Sequence, residues 1–329
     1  QILDAKCTTA ILETTSHALY QGRVYAIKYF AGIYTNITKE HLDEHKTYEN
    51  LVAHKGRLIK KVRKNGVIIM NSDDKSYPLL MTIYNNLSTK PKLCTYGKGD
   101  SYLKIVSISP AESGTHFDIE VENKRHSLFT PLNGEYNVYN NCAAILYALH
   151  IGINMETISL GITKPKYLEG RWDEIYNKDY KVIVDFAHTP NGLENVLTAA
   201  KSKTHGRVIA VFGCAAERDI FKREVMGNIS AKLADVTYIT SEDPRHEDPE
   251  KIAAEVEKGM LKNAKTKGVD YHIIIDREEA IKTAIANAQK DDLIIITGKG
   301  HEKSMNIKGV ETPWSDKEIA LKYLSNSKN

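Results

Sequence analysis

No cysteine pair in this chain has the spacing of a metal knuckle or a redox motif. Cys7, Cys94, Cys142 and Cys214 are scattered, which excludes a C-x-x-C zinc site and argues against a disulfide framework. Long apolar runs are missing too. None approaches the roughly 20 residues that a helix needs to cross a bilayer, and the first residues lack the basic-then-apolar order of an export signal. A cytoplasmic protein without membrane insertion is therefore expected. An excess of one charge is also absent: 45 basic and 42 acidic residues, net +3, leave no electrostatic footprint for nucleic acid. Neither G-x-x-x-x-G-K-[ST] nor G-x-G-x-x-G occurs, since Gly97-Lys98-Gly99 and Gly298-Lys299-Gly300 match neither pattern.

What is present is an ordinary globular composition over 329 residues, enough for two cores. Thr9 to Leu12, Phe30 to Tyr34 and Gly66 to Met70 read as buried strands between helical patterns, the rhythm of a mostly parallel sheet. From Leu93 to Leu132 alternation such as His116 to Val121, bounded by Ser113-Gly114 and Asn133-Gly134, predicts antiparallel hairpins. Asn137 to Leu149 and Met155 to Gly161 read as helices. Lys164-Pro165-Lys166 then marks a boundary, which gives domains 1–163 and 164–329. Beyond it, Val182 to Asp185, Arg207 to Gly213, Val236 to Ser241, Tyr271 to Asp276 and Leu293 to Gly298 are strands, most followed by a helix. The fold class is thus α/β: a mostly parallel sheet with an antiparallel portion, followed by a Rossmann-like doubly wound domain. Because Gln1 leads so soon into Thr9 to Leu12, the chain is expected to be a fragment.

In doubly wound sheets ligands collect beyond the carboxyl ends of the strands, and those positions are polar here. Asp185 to Pro190 sets a carboxylate and the imidazole of His188 ahead of a proline suited to a first helical turn, a geometry for gripping ribose or phosphate or for a plain N-cap. Arg171 is a phosphate contact or a surface arginine. Arg218, Asp243, Arg245 and Glu302 come from three strand ends; together they suit a zwitterion, and separately they are surface ion pairs. Near the N-terminus, Glu13 and His41 follow apolar runs and could hold a hard divalent cation, or serve as caps. Lys55 is the anomaly. It sits in the middle of one helical face formed by Tyr48, Leu51, Val52, Leu58, Ile59 and Val62, where a bare ammonium must snorkel, pair, shift its pKa or be modified.

Taken in order, Leu12 to Leu19, Thr35 to His45, Lys55 to Leu58, Asn137 to Ala144, Gly170-Arg171, Asp185 to Pro190, Arg218-Asp219, Asp243 to Arg245 and Gly298 to Glu302 resemble the MurE-type Mur ligases. The likeness runs from about Thr8 to the last helix. It implies ATP-dependent addition of a diamino acid to UDP-MurNAc-L-Ala-D-Glu through an acyl phosphate, in peptidoglycan synthesis, by a monomer. It further implies that Glu13, His41 and a carbamylated Lys55 bind Mg²⁺, and that Asn140, Arg171, Asp185 and His188 contact ATP. Arg218, Asp243, Arg245, Gly298 and Glu302 would bind the added amino acid. Another superfamily ligase, such as a folylpolyglutamate or cyanophycin synthetase, and a non-catalytic binding module are the alternatives; Asp243 to Arg245 with Gly298 to Glu302 favours the MurE type.

Two departures qualify the likeness. The family's Gly-Gly-Asp-Arg-Asp reads Ala215 to Asp219 here, and its Asp-Asn-Pro-Arg reads Glu242 to Arg245. Arg245 favours meso-diaminopimelate, whereas the extra charge of Asp243 would suit the free ammonium of lysine. The family also carries an N-terminal nucleotide domain and a P-loop that this chain lacks, so the chain alone is expected not to ligate.

Overall fold

A computed structural model describes residues 6–38, 45–165 and 168–326. The chain divides into two compact units. Gln1–Ile105, Glu120–Lys124 and Cys142–Ile153 form one, and Val106–Ile119, Arg125–Asn141 and Asn154–Asn329 form the other.

In the first unit β1 (Tyr29–Tyr34), β2 (Val62–Asn71) and β3 (Lys92–Gly97) pair in parallel. Both faces of β2 are covered, with Val67 to Met70 fully buried, so its pattern is a continuous apolar run. Helix α1 (Ser16–Tyr20) packs against α2 (Tyr48–Gly56), and α2 packs against α3 (Tyr77–Asn85). Leu51, Val52, Ile59, Ile68, Met70 and Leu80 close the core between these helices and the sheet.

Three expectations are corrected here. Thr9 to Leu12 forms no strand: Ile11 is 93% and Leu12 47% exposed, and no described strand pairs with the segment. The stripe from Tyr48 to Val62 is not one helix, because α2 stops at Gly56 and Val62 already begins β2. Gly56 passes so close to α3 that a Cβ there would sit 2.3 Å from Ile83 Cδ1. Finally, β3 is a parallel strand rather than part of a hairpin. Only its last two residues meet the start of β4 (Leu103–Ala111), through Tyr96↔Leu103 and Gly97↔Lys104, so that parallel pair needs no crossover.

The hairpins begin beyond that point. β4, β5 (Gly114–Val121) and β6 (Lys124–Thr130) follow one another with two-residue connections, which only antiparallel neighbours allow. Glu122 and Asn123 both adopt positive φ, 53° and 60°, the pair that a type I′ turn demands. Helices α4 (Glu135–His150) and α5 (Met155–Ile162) come next.

The second sheet has the order β11-β10-β9-β12-β8-β7. β7 (Asp173–Asn177) is an antiparallel edge; β8 (Lys181–Asp185), β9 (Val208–Phe212), β10 (Val236–Ile239), β11 (Tyr271–Ile273) and β12 (Leu293–Thr297) run parallel. Residues of α6 (Pro190–Lys201), α7 (Phe221–Leu233) and α8 (Pro249–Leu261) share one core with Ile183, Ala210, Phe212 and Ile295. Those of α9 (Arg277–Ala286) and α10 (Asp316–Asn326) share the opposite core with Val182, Val211 and Ile296. The chain therefore builds outward to β11, changes face through α9, and returns to insert β12 between β8 and β9. That reversal is the topological switch point at which such sheets bind ligands. A short hairpin, β13 (Ser304–Ile307) and β14 (Val310–Pro313), follows β12.

Candidate functional site

Three loops leave the carboxyl ends of β9, β10 and β12 and join one another. The Ala216 N–H donates to the Asp243 carbonyl at 3.0 Å. Lys299, only 2% exposed, donates from Nζ to Asp243 Oδ1 at 2.8 Å and reaches Glu302 Oε2 at 2.5 Å. The Asn306 N–H donates to the same Asp243 oxygen at 2.9 Å. Burial pulls the Lys299 ammonium down, but its bonds to Asp243 and Glu302 outweigh burial and hold its pKa above the ordinary value.

This corner is strained. Glu217, Asp243 and Arg245 have φ of 55°, 39° and 44°, and a non-glycine residue held there costs on the order of 1 kcal/mol or more. Each is pinned by its backbone. The Glu217 N–H donates to Glu247 Oε1 at 2.6 Å, and Glu247 is itself gripped by the buried Arg223. Arg245 exchanges backbone bonds with the β13–β14 hairpin, to Asn306 O at 3.0 Å and from Lys308 N at 2.7 Å. Its guanidinium lies 3.8 Å from Glu217. Arg218 stands exposed on the same loop as Glu217.

Gly298 brings the β12 end against Glu242. Its φ is +111°, and a Cβ would fall 2.3 Å from Glu242 Oε2. That oxygen has no hydrogen-bond partner among the described residues, and the side chain is 5% exposed. Burial pushes the Glu242 carboxyl up to about 7, against the pull of Lys222, Arg277 and Lys299.

A second cluster lies at the end of β8. Asp185 is buried and accepts from the Trp172 N–H at 2.7 Å and the Ala187 N–H at 2.8 Å; burial raises its pKa despite those bonds and the nearby Arg171. The Arg171 guanidinium stacks 4.6 Å from the Phe186 ring centroid. His188 Nδ1 lies 3.0 Å from the Phe186 carbonyl, and burial lowers its pKa, assisted by the cations Lys222 and Arg171. Lys222 donates to the His188 carbonyl at 2.8 Å. Gly170 passes His301 so closely that a Cβ would sit 2.2 Å from the His301 nitrogen. Tyr136, on α4, feels the charges of Asp185 and Arg171, although burial is the main cause of its raised pKa. Asn140 is exposed one turn further along, on the same helix face as Tyr136. The two clusters touch, because the Gly298 N–H donates to the Asp185 carbonyl at 3.2 Å.

In the first unit, Glu13 is exposed just ahead of α1, whose N-terminus is capped by Thr15. Ser16 Oγ lies 3.0 Å from His45 Nε2, and His45 Nδ1 lies 2.9 Å from His54 Nδ1, which ties α1 to the helix carrying Lys55. Lys55 is half-buried in the last turn of α2, and its carbonyl accepts from Tyr34 Oη at 3.0 Å. His41 lies outside the described residues. Among the described residues no group of three or more His, Cys, Asp or Glu has the arrangement of a metal site.

Residues 1–148 match the Mur ligase middle domain, and residues 170–300 match the Mur ligase glutamate ligase domain. The chain belongs to the Mur ligase family. A 2,6-diaminopimelate-adding UDP-N-acetylmuramoyl-L-alanyl-D-glutamate ligase of Clostridium acetobutylicum is 38% identical over 97% of this Mur ligase chain. One from Aquifex aeolicus is 38% identical over 95%. The chain spans 64% and 62% of these relatives' own lengths. A solved structure of a ligase with the same name aligns at a TM-score of 0.61 with 31% identity, covering 97% of this chain and 64% of that one. MurF from Acinetobacter baumannii aligns at 0.70 with 15% identity over 90% of this chain and 60% of its own, a likeness of fold alone.

Within this Mur ligase chain, sequence reasoning missed Glu242, Lys299, Lys222 and Phe186. Glu242 lies three residues beyond the end of the β10 strand and opens a carboxylate doublet, a signal that was readable. Lys299 reads as part of a flexible glycine loop because one of its partners, Asp243, lies on a distant loop, and the other, Glu302 three residues on, does not by itself reveal that the amine is buried.

Proposed function

We propose that this chain carries the middle and C-terminal domains, 1–163 and 164–329, of a cytoplasmic, monomeric MurE-type ligase that joins a diamino acid to UDP-MurNAc-L-Ala-D-Glu at the expense of ATP. The observation that carries the reading is the junction of three strand-end loops at Asp243, beside a cluster around Asp185 fit for a nucleotide. In this scheme the substrate carboxylate attacks the γ-phosphorus, forming an acyl phosphate and releasing ADP; the incoming amine then attacks the acyl carbon, and phosphate leaves. Arg171, Asp185 and His188, with Asn140, hold ATP: the guanidinium meets phosphate, and the buried carboxylate and neutral imidazole take sugar hydroxyls. Arg218 and Arg245 take the carboxylates of the amino acid, Glu302 faces its ammonium, and Asp243 and Gly298 hold the loops that shape the pocket.

Mg²⁺ fits only one form of the remaining donors. A lysine amine is a poor ligand for a hard cation, whereas its carbamate offers oxygens like those of Glu13. Lys55 as a carbamate, with Glu13 and His41, would hold the ion, and a bound ion there would supply neutralisation of phosphoryl charge.

The acceptor is read as meso-diaminopimelate. The added charge of Asp243 is already met by Lys299 and the Asn306 N–H, so it offers little to a free ammonium, while Arg245 keeps a guanidinium for a distal carboxylate. Incubating the full-length gene product with UDP-MurNAc-dipeptide, MgATP and either diaminopimelate, lysine or ornithine tests this. ADP release and a new amide should depend on diaminopimelate. Dependence on lysine alone overturns the acceptor, and failure with all three overturns the ligase reading.

A further inference from the structure

Arg277 opens α9 and is 2% exposed; Asp316 opens α10 and is fully buried. Their side chains form a forked pair, Nε to Oδ1 at 2.8 Å and Nη2 to Oδ2 at 2.7 Å, and Trp314 Nε1 donates to Oδ1 at 2.8 Å. The guanidinium has two further partners. Nη1 donates to the Ser241 carbonyl at 3.2 Å and Nη2 to the Thr297 carbonyl at 2.7 Å. Ser241 directly precedes Glu242 and Asp243, and Thr297 directly precedes Gly298 and Lys299. One planar group thus spans the last carbonyls before both loops.

Stability alone is a weak explanation for this arrangement. A buried ion pair gives little net stabilisation over well-packed apolar groups, and a cation at a helix N-terminus opposes the helix dipole. A rigid fork with fixed donor directions does supply a constant spacing between the two carbonyls.

We propose that Arg277, oriented by Asp316, is a positioning residue that sets the separation of the Glu242–Arg245 and Gly298–Glu302 loops and so the affinity for the acceptor amino acid. This rests on the ligase reading above. The side-chain bonds of Arg277 go to Asp316, Ser241 and Thr297 and not to Arg171, Asp185 or His188, so loss of the clamp should weigh more on the acceptor than on ATP.

Arg277→Lys and Asp316→Asn in the full-length protein test the idea by steady-state kinetics, with circular dichroism as a check on folding. The KM for the diamino acid should rise about tenfold or more, with kcat and the KM for ATP within about threefold of wild type. Unchanged acceptor KM in a folded variant overturns the proposal, as does an equal rise in both KM values. If only one variant folds, it decides; if neither folds, the pair is a stability element and the proposal fails. Calorimetry of wild type with diaminopimelate separates the two claims. Lack of binding there sinks the ligase reading, whereas normal binding by wild type and variants alike sinks the positioning role alone.

Discussion

Replacing Glu242 by Gln isolates the effect of one buried carboxyl on stability. Oε2 has no hydrogen-bond partner among the described residues and faces Gly298, and burial lifts the group from an ordinary 4.5 to about 7. A raised carboxyl means that the folded state binds the proton more tightly than the unfolded one. Its contribution is therefore complete below about pH 4.5 and is lost as pH rises through about 7. At about 1.4 kcal/mol for each tenfold change in proton affinity, the loss amounts to about 3 kcal/mol at most. Glutamine keeps the shape and carries no charge at any pH. Urea denaturation of both proteins between about pH 4.5 and pH 8 should show the variant gaining on wild type by up to about 3 kcal/mol towards the upper end. Parallel curves, or a wild type that gains as pH rises, would refute the reasoning: the carboxylate would then be ionised in the fold and paired with Lys222 or Lys299.

The remaining predictions concern neighbouring groups. Gly298→Ala forces a side chain into positive φ and against Glu242, so it should cost roughly 1–3 kcal/mol and lower Tm by several degrees; an unchanged melting curve counts against the close approach. Lys55→Ala should cut ligation by about a hundredfold or more, with part of the rate restored by a small added carboxylate such as propionate. A lysine that merely snorkels predicts neither result. Asp243→Asn should leave diaminopimelate preferred over lysine, because the charge it removes is already matched by Lys299. A switch of acceptor preference would show that Asp243 addresses the substrate directly.

Much of the second sheet was legible because β8, β9 and β12 are buried on both faces and read as apolar runs. β7 and the β13–β14 hairpin escaped notice, since Asp173 to Asn177 and Val310 to Pro313 are polar, short and partly exposed. Thr9 to Leu12 shows the converse failure: the run is apolar, yet local pattern cannot reveal whether a partner strand lies alongside. The Lys55 stripe misled for a related reason. Leu51, Val52 and Ile59 do share one core, but Gly56 ends the helix between them, and a one-dimensional periodicity does not register its close approach to Ile83. At the site, the strand-end loops were identifiable by topology. The pairing of Lys299 with Asp243, and the clamp of Arg277 on two carbonyls, depend on loops far apart in sequence and had no local signature.

The late arrival of β12 has a consequence for how the binding region comes into being. Because that strand wedges between two others made long before it, β8 and β9 lack their shared neighbour until nearly the whole domain has been synthesised. On the proposed reading, neither binding cluster is complete on the nascent chain before then. A ribosome-bound segment stopped short of Leu293 should have helices and an outer sheet but no grip on either proposed substrate, so acquisition of affinity would mark the closing step of folding rather than an early one.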